Sequence, residues 1–377
     1  MSKLADIFCK RKESLAGINF IDINKKMTNV RYSELYEDSI KLLASLKKSG
    51  IKEHDEVIVQ IKSDREFITC FWACILGGII IVPIPFCDKA ELVGMLNHVI
   101  KKLNTPFIYV EKLYEEKFIN VVKTVHEINV DNILHRIVKK MYIEQVEEKI
   151  IFKSKDNDIA LIQFSSGSTG IPKGVSITYE NIKNNCDSIF KALLVTGEDR
   201  ILSWLPYTHN FALIGGHVAP LIKNIEQYKM PTEMFLVKPI EWLNYLSDFD
   251  ITISFSPNFG FLRCMESLDK NSRYGWDFSH LRIIISGSEP VNDQCCQLFM
   301  KLLSSYGMSN TVVIPAYGMS ETTLIISAGT PKEKYRKYIL KRNKLNIGDE
   351  VELFDVVDDE TIIFVEGGVA ADGIDIT

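Results

Sequence analysis

The sequence has no uninterrupted apolar stretch of the length that a membrane span requires, which is about 20 residues. Its longest apolar stretch, FWACILGGIIIVPIP from Phe71, is broken by Gly77, Gly78, Pro83 and Pro85. The N-terminal residues MSKLADIFCKRKE also lack the apolar core of a signal peptide. We therefore expect a cytoplasmic protein without a membrane span, in which the stretch forms a buried helix, a turn and a strand.

The eight cysteines lack the paired short spacings that build a zinc site. Cys70 and Cys74 lie one helical turn apart, but neither a second pair nor a histidine pattern accompanies them. A buried cysteine without such partners usually behaves as a small hydrophobic residue. The pattern therefore predicts reduced thiols, as in a cytoplasmic protein, and no structural zinc.

The chain also lacks an excess of positive charge, because 44 basic side chains stand against 49 acidic ones. Such a balance supplies no general field for holding a nucleic-acid backbone, so nucleic acid is not an expected partner. No internal repeat or low-complexity segment interrupts the sequence. A length of 377 residues exceeds one ordinary core, and we expect two or three packed units with a cleft.

Strand-like and helix-like segments alternate through the first half of the chain. From Ser33, the expected N-cap, the segment SELYEDSIKLLASLKKSG has apolar residues at helical spacing and stops at Gly50. Apolar runs typical of buried strands follow from Val57, Ile79 and Pro106, separated by the helical patterns EFITCFWACIL and AELVGMLNHVIKKL. This alternation predicts a covered, largely parallel sheet.

The alternation resumes with strand-like runs from Asp158, Arg200, Ile251 and Arg282, and helices are predicted near 179–194, 257–267 and 291–305. After about Thr330 the chain changes to a charged stretch followed by short β-like pieces. We therefore predict an α/β protein of two packed lobes with largely parallel sheets, 1–180 and 181–330. Residues 331–377 would add an inserted segment and the start of a small β subdomain.

The most distinctive segment is SSGSTGIPKG, which joins the strand-like DIALIQF to another short strand, GVSIT. Hydroxyls, glycines and one lysine can direct backbone amides, side-chain oxygens and a positive charge toward phosphate oxygens. The candidate residues are Ser165, Ser166, Gly167, Ser168, Thr169, Gly170, Lys173 and Gly174. The spacing is not that of a Walker loop. A flexible linker is the alternative, but a Pro-Lys-Gly ending between two apolar strands favours a phosphate-binding loop.

This segment resembles the phosphate-binding signature of the adenylate-forming (AMP-binding) superfamily. Three further matches follow in the family's order: WLPYTHNFALIG from Trp204, SGSEP from Ser286 and AYGMSETT from Ala316. Four motifs in one order are far more specific than any single motif. The resemblance implies the N-terminal domain of such an enzyme, with ATP and Mg²⁺ as cofactors.

The last two motifs imply the nucleotide site. Tyr317 offers an aromatic face to a purine, Ser320 a hydroxyl to the α-phosphate and Glu321 a hard oxygen ligand to Mg²⁺. The resemblance adds to the ATP/AMP-binding set Ser288, Glu289, Pro290, Ala316, Gly318 and Met319. It implies that Lys173, His209, Ser320 and Glu321 carry the catalysis.

His209 occupies the position at which the family places a residue beside the reacting carboxylate. Relatives of acyl-AMP ligase type tend to carry His-Asp here, whereas this chain has His209 followed by Asn210, which leaves the orienting partner of the histidine open. The segment from Phe255 resembles the family's acyl-pocket segment. The implied acyl-binding residues are His209, Phe211, Phe255, Ser256, Asn258, Phe259 and Phe261, and the alternative is that the phenylalanines only fill the interior.

The distance between two motifs indicates the subfamily. Gly373, which matches the turn opening the next β unit, follows Glu321 by 52 positions (373 − 321), more than acyl-CoA synthetases usually have. Fatty acyl-AMP ligases carry such an insertion, and the resemblance implies that they pass the acyl group to an acyl carrier protein. The basic run KEKYRKYILKRNK could face an acidic carrier or simply be a solvated surface.

We therefore predict ATP-dependent activation of a fatty acid to acyl-AMP with release of pyrophosphate. The alternatives are an acyl- or aryl-CoA synthetase and a non-catalytic adenylate-binding fragment. Lys173 and Glu321 should face each other across one cleft beside Tyr317, and an apolar tunnel should run from near His209 along Phe255 to Phe261.

The family's ribose-binding aspartate motif and its C-terminal domain with a catalytic lysine are not found in this chain. We therefore expect the chain to bind nucleotide but to activate fatty acid roughly a hundredfold more slowly than a complete enzyme.

Overall fold

The computed structural model describes residues 1–125, 129–138, 141, 143, 150–165, 172–269 and 273–376. The chain divides into two compact units. The first comprises Met1–Phe20, Thr28–Asn184 and Pro206–Ile214, and the second comprises Ile21–Met27, Asn185–Leu205 and Gly215–Thr377. The longest stretch of the first unit ends at Asn184, and residues 331–377 lie within the second unit.

The first half of the chain alternates strands and helices, as predicted. In chain order the elements are α1 (Lys3–Cys9), β1 (Gly17–Ile21), β2 (Met27–Arg31), α2 (Tyr32–Lys48), β3 (Glu56–Gln60), α3 (Asp64–Gly77), β4 (Ile80–Pro83), α4 (Ala90–Lys102), β5 (Phe107–Val110), α5 (Glu115–Lys123), α6 (Val130–Leu134), β6 (Ile159–Ser165), β7 (Lys173–Thr178) and α7 (Tyr179–Ala192).

The sheet of the first unit has the strand order β5-β3-β4-β6-β7. The first four strands are parallel, and β7 pairs antiparallel with β6. Leu96 and Val99 of α4 and Phe118 of α5 are buried in one cluster with Ile58 and Val82 of the sheet. Parallel strands end at one edge, and loops at that edge are where α/β proteins place their ligands. β6 reaches this edge at Ser165.

The start of α2 corrects one sequence prediction. Ser33, expected as the N-cap, lies inside the helix, which begins at Tyr32. Tyr32 is fully buried, and the Glu34 carboxylate accepts a hydrogen bond of 2.8 Å from the Arg31 backbone N–H. Because the Tyr32 ring is buried at the first helical position, the N-cap is Arg31 and not Ser33. The predicted stop is confirmed, because Gly50 follows the helix with a φ of +93°.

The elements of the second half follow the same alternation before turning to short strands. They are β8 (Arg200–Ser203), a π-helix (Phe211–Val218), α8 (Ala219–Lys223), β9 (Glu226–Lys229), α9 (Thr232–Val237), α10 (Ile240–Asp248), β10 (Ile253–Phe255), α11 (Asn258–Glu266), β11 (Ile283–Ser286), α12 (Asp293–Leu303), β12 (Val313–Gly318), β13 (Ile325–Ala328), β14 (Lys337–Lys341), β15 (Leu353–Phe354), β16 (Thr361–Val365) and β17 (Val369–Ala370).

The main sheet of the second unit contains the strands β9-β8-β10-β11-β12-β13-β17 in this order. The pairs from β9 to β12 are parallel, and β13 and β17 add antiparallel strands at one side. A separate antiparallel sheet has the order β15-β14-β16. The predicted α/β fold with largely parallel sheets is therefore confirmed. Within the described part of the chain, no helix is long and apolar enough to cross a membrane.

A buried ion pair holds the starts of three neighbouring strands in the second unit. The Arg282 guanidinium donates to both carboxylate oxygens of Asp199, with Nε–Oδ1 at 2.7 Å and Nη2–Oδ2 at 2.6 Å. The Thr252 hydroxyl donates to the same carboxylate at 2.7 Å. Burial alone would raise the pKa of Asp199, but the hydrogen bonds from Arg282, Thr196 and Thr252 outweigh it and lower the pKa. The carboxylate therefore stays ionised.

The substitution Asp199→Asn should reduce the free energy of unfolding by about 3–5 kcal/mol, because it leaves the Arg282 charge without its partner. Asp250→Asn is the matched control, since Asp250 forms a 3.4 Å pair with Arg200 and its side chain is 70% exposed. An exposed pair of this kind contributes less than about 1 kcal/mol. Urea unfolding of the three proteins measures both effects, and equal losses would contradict the structural role of the buried pair.

His217 is a second buried polar group of this unit. Its Nδ1 lies 2.9 Å from Oε1 of Gln227, and Nε2 of Gln227 donates to the His217 carbonyl at 3.1 Å. Burial lowers the pKa of His217 to about 4, while the bond to Gln227 acts weakly in the other direction. The imidazole is therefore neutral in the folded protein.

This low pKa predicts a loss of stability in mild acid. An unfolded histidine takes up a proton near pH 6.5, so the stabilisation is fully present above that pH and is lost as pH falls toward 4. The loss attributable to His217 amounts to about 3 kcal/mol at most. Unfolding between pH 7 and pH 4.5 should show a steeper decline for the parent chain than for His217→Gln. Parallel curves would show that His217 does not titrate differently on folding.

Candidate functional site

A cavity of about 570 Å³ in the second unit brings two of the predicted motifs together. Its lining includes six residues of the predicted ATP/AMP-binding set: Ser288, Glu289, Pro290, Ala316, Tyr317 and Gly318. The other lining residues are Val291, Pro315, Ser327, Val365, Glu366, Gly367, Gly368 and Ile376. The cavity forms because β11 and β12 are parallel neighbours, with Ser286 paired to Pro315, and therefore end at the same edge.

The backbone approaches closely at the floor of this cavity. A Cβ at Gly287 would lie 2.8 Å from the carbonyl oxygen of Ala316, so no larger residue fits there without a shift. Ser288 has a φ of +72°, a conformation that non-glycine residues rarely adopt. Strained backbone of this kind clusters at ligand sites, which agrees with the role predicted for Ser288.

Tyr317 presents a large aromatic face at the cavity. Its residue surface is 56% exposed, and the β12–β13 register shifts between Tyr317 and Gly318. A local shift of this kind bends a strand and redirects its side chains. An exposed ring at a cavity wall is suited to stacking on a flat heterocycle such as a purine.

Ser320 and Glu321 lie on a short 3₁₀ turn, Ser320–Thr322, one residue after β12. Asn185 of α7 holds the far side of this turn: its Nδ2 donates to the carbonyls of Thr322 and Ile325, both at 3.1 Å, and its Oδ1 accepts from the Ile325 N–H at 3.0 Å. The position of Glu321 is therefore fixed through the backbone.

Glu321 fits the role of a single protein ligand for Mg²⁺. Its side chain is exposed, and no salt bridge engages it among the described residues. In the same part of the chain no group of three or more His, Cys, Asp or Glu side chains could hold a metal. Mg²⁺ commonly takes one or two carboxylates and completes its shell with phosphate oxygens and water, so one carboxylate is compatible with it.

The cavity also contains residues that the sequence analysis missed. Gly367 and Gly368 follow β16 and pack against β13, where a Cβ at Gly367 would lie 3.2 Å from the Ser327 hydroxyl. Gly368 has a φ of +86°, and a Cβ there would overlap the backbone of Ala328. The Gly-Gly pair itself could have identified these residues from the sequence, because such a pair before a strand indicates a close approach of two backbone segments.

The first unit carries the residues of the predicted phosphate loop. Ser165 of β6 pairs with Lys173 of β7, so the loop is the connection of a β-hairpin. Lys173 and Gly174 are exposed on β7. The predicted residues Ser166, Gly167, Ser168, Thr169 and Gly170, and the Ser165 side chain, lie outside the described residues. At the end of the loop, Nε2 of His98 lies 3.3 Å from the Pro172 carbonyl.

His209 is presented by a turn that is anchored in the first unit. The His209 N–H donates to the Pro206 carbonyl at 3.1 Å, and the Tyr207 ring stacks on Phe67 with 6.0 Å between centroids. Gln163 of β6 donates from Nε2 to the Thr208 carbonyl at 3.1 Å. The His209 carbonyl then accepts from Ala212 and Leu213 at the start of the π-helix. These contacts fix the backbone of the turn.

The His209 side chain lies at the surface of this unit, whereas Asn210 after it is buried. Although part of the ring reaches solvent, desolvation of the remainder lowers the pKa of His209 below 6.5. The imidazole is therefore neutral at pH 7. A neutral ring can donate or accept one hydrogen bond beside a carboxylate.

The predicted acyl-binding phenylalanines do not share one face. Phe259 of α11 is 43% exposed and lies edge-on to Trp204, with 5.5 Å between centroids. Phe261 of the same helix is fully buried and packs 4.7 Å from Phe299. Two positions along a helix turn a side chain by about 200°, which places these rings on opposite sides. Phe255 is buried at the end of β10, so Phe259 is the exposed one of these three rings.

The other predicted acyl residues of this segment have supporting contacts. Asn258 donates from Nδ2 to the Pro290 carbonyl at 2.8 Å and accepts from the Asn292 N–H at 2.9 Å, so its amide holds the turn beside the cavity. The buried Ser256 hydroxyl donates to the Pro257 carbonyl at 2.9 Å. Phe211, at the start of the π-helix, is half-buried. Acyl contact by these residues stays a prediction, as does a cleft between Lys173 and Glu321, which belong to different units.

The close approach at Gly368 generates a prediction. Gly368→Ala should weaken AMP binding roughly tenfold or more, because the added methyl group forces the cavity wall away from β13. Gly348→Ala is the matched control, since Gly348 has a φ of +94° but nothing within 4 Å of the added Cβ. The control should lose about 1 kcal/mol of stability and no AMP affinity. Calorimetric titration with AMP distinguishes them, and equal affinities would contradict the role of Gly368.

Comparison with known proteins identifies relatives of this chain. JamA of Moorena producens, a medium-chain-fatty-acid–[acyl-carrier-protein] ligase, is 26% identical over 85% of this chain and 54% of its own length. FadD32 of Mycolicibacterium smegmatis, a long-chain-fatty-acid–AMP ligase, is 27% identical over 79% of this chain and 48% of its own. The chain thus spans about half the length of these curated relatives.

Solved structures share the fold. A fatty acyl-adenylate ligase from L. pneumophila, crystallised in complex with acyl adenylate and pyrophosphate, superposes with a TM-score of 0.82 at 25% identity. The superposition covers 97% of this chain and 63% of that one. The family model described as AMP-binding enzyme matches residues 11–368, which is nearly the whole chain. The chain therefore belongs to the AMP-binding enzyme family, whose members form adenylates.

Proposed function

We propose that this chain activates a fatty acid as its acyl adenylate, with release of pyrophosphate, for transfer to an acyl carrier protein. The observation that supports the proposal best is the cavity in which the SGSEP and AYGMSE segments meet around an exposed Tyr317 ring. Relatives named as fatty-acid ligases for AMP or carrier protein support the choice of substrate.

In the proposed reaction a carboxylate oxygen attacks the α-phosphorus of ATP in line with the bond to the leaving pyrophosphate. The P–O bond to the carboxylate forms while the bond to the bridging oxygen breaks. The chain contributes mainly positioning and charge, as is usual for chemistry at phosphorus. Tyr317 and Ser288 would hold the adenine, and Ser320 would donate to the α-phosphate.

Lys173, His209 and Glu321 would interact with the charged groups of the substrates. Lys173 and the loop before it would hold the pyrophosphate, and a neutral His209 would lie beside the acid, where its ring could donate one hydrogen bond to the carboxylate. Mg²⁺ bound at Glu321 would neutralise phosphate oxygens.

The segment after β13 contains the insertion that the resemblance attributes to fatty acyl-AMP ligases and not to CoA synthetases, and this insertion supports the ligase type. The Asp293 carboxylate, buried at the start of α12, accepts from Lys337 Nζ at 2.7 Å and from the Tyr335 hydroxyl at 3.0 Å. A carboxylate at a helix N-terminus is favourable, which strengthens this anchor. The inserted β15-β14-β16 sheet is therefore fixed to the helix that follows the Ser288–Pro290 turn of the cavity.

The basic run within this insertion is partly neutralised by the chain itself. Lys337 pairs with Asp293, Lys344 pairs with Glu352 at 3.5 Å, and the Lys341 ammonium lies 5.6 Å from the Phe354 ring centroid. These contacts favour a structural use of the run over contact with an acidic carrier. The proposal of a carrier acceptor therefore rests on the relatives and not on these lysines.

The assay that tests the function is fatty-acid-dependent exchange between ATP and labelled pyrophosphate. Exchange with medium- or long-chain acids supports activation, and nucleotide binding without exchange for any acid would favour the non-catalytic alternative. Incubation of the product with holo-carrier protein or with CoA then separates the two ligase types.

Substitution Glu321→Gln should abolish most of the gain in ATP affinity that Mg²⁺ produces, because a carboxamide is a poorer ligand for a hard cation. Exchange should fall by roughly 10²–10³-fold, the range found when one electrostatic stabiliser is removed. AMP binding should not change. Glu333→Gln, an exposed glutamate outside the cavity, is the control. A Mg²⁺ effect equal in both variants would show that Glu321 does not hold the metal.

A further inference from the structure

Gln163 is a buried amide in the first unit for which the sequence analysis assigned no role. It lies on β6 two residues before Ser165, at 5% exposure, and pairs in the sheet with Val175. Its Nε2 donates to the Thr208 carbonyl at 3.1 Å, across 45 positions of sequence. Its Oε1 is buried and has no hydrogen-bond partner in the part of the chain that the structure describes.

This arrangement couples two parts of the site that belong to the same unit. Thr208 is the third residue of the turn that His209 closes, and Ser165 is the last residue of β6 before the phosphate loop. The Tyr207 ring anchors the other side of the turn by stacking on Phe67. The amide of Gln163 is therefore a polar link between the end of β6 and the His209 turn.

An apolar residue would fill the same space without leaving a buried acceptor unpaired, which is costly. An amide is nevertheless present, and its donor is used to hold a backbone carbonyl. The chemistry required at this position is therefore a neutral group that donates toward Thr208. A carboxylate of the same shape would place an acceptor oxygen against the Thr208 carbonyl oxygen, and no hydrogen bond could form between them.

We propose that Gln163 is a positioning residue for acid activation, which sets the place of His209 relative to the start of the phosphate loop. The inference rests on the proposed function, because it supposes that His209 acts beside the reacting carboxylate. Loss of the Nε2–Thr208 bond would let the turn shift. Such a shift would lower kcat while leaving the nucleotide cavity of the second unit unchanged.

Gln60 provides a matched control in the same sheet. It is fully buried at the end of β3, its Oε1 accepts from the Cys87 N–H at 2.7 Å, and its Nε2 lies 3.4 Å from the Pro85 carbonyl. Like Gln163, it ties a strand end to a neighbouring loop. The loop that it holds carries no residue of the predicted site.

The test compares Gln163→Glu, Gln163→Met, Gln60→Glu and Gln60→Met by fatty-acid-dependent pyrophosphate exchange from pH 6 to pH 8. Each rate is divided by that of the parent chain at the same pH and by the folded fraction from a thermal melt. At pH 8 both Gln163 variants should lose at least tenfold in kcat, with KM for ATP within twofold of the parent value. Both Gln60 variants should melt lower but keep kcat within twofold.

The decisive readout is the pH dependence of Gln163→Glu. Burial raises the pKa of a carboxyl group, so this side chain should become protonated toward pH 6 and regain an O–H that can donate to Thr208. Its relative kcat should therefore recover as pH falls, whereas Gln163→Met should not recover. A purely structural residue would show no such recovery.

Each outcome bears on one of the two proposals. Exchange by the parent chain together with unchanged kcat in Gln163→Met overturns the positioning role alone. The positioning role is also overturned if the loss of relative kcat in Gln163→Glu persists at pH 6 and equals the loss in Gln60→Glu. A parent chain that binds ATP but exchanges with no fatty acid overturns the proposed function, and the role of Gln163 falls with it.

Discussion

The pair between Asp199 and Arg282 is the constraint on which the second unit depends. Asp199 precedes β8, Thr252 precedes β10 and Arg282 precedes β11, so one carboxylate ties the starts of three adjacent parallel strands. Arg282 also donates to the carbonyls of Leu193 and Leu194 beyond the end of α7. Parallel strands that are fixed at one edge present their other ends together, and there the cavity forms.

Close backbone packing shapes two parts of that cavity. Gly287 and Gly368 allow chain segments to approach within distances that a Cβ would prevent, and Ser288 holds a left-handed conformation. Purines offer flat faces and edge groups that backbone amides and carbonyls can match. A wall of tightly packed backbone is also rigid, which limits the entropy lost on binding any ligand that fits it.

The sequence predicted all five strands of the first sheet, three strands of the second (β8, β10 and β11) and six helices (α2, α3, α4, α7, α11 and α12), because hydrophobic periodicity and glycine-rich turns are local signals. It did not predict β1, β2, β9, β12 or β13. It failed where a distant contact decides the outcome. The cap of α2 is Arg31 because the Tyr32 ring at the first helical position is buried, and the motif resemblance did not indicate that Phe259 and Phe261 lie on opposite sides of α11. Asn185 was missed because its bonds to the 322–325 loop span about 140 positions, and a single asparagine in a helix carries no mark of such a partner.

Three buried amides share one function in this protein. Asn185 holds the loop after Glu321, Asn258 holds the turn after Glu289, and Gln163 holds the turn before His209. An amide offers a donor and an acceptor without a charge, so it can satisfy backbone groups of both kinds. A buried carboxylate or lysine in these places would instead add a charge beside the candidate site. Neutral amides therefore hold the backbone beside Glu321, Glu289 and His209 without adding a charge of their own.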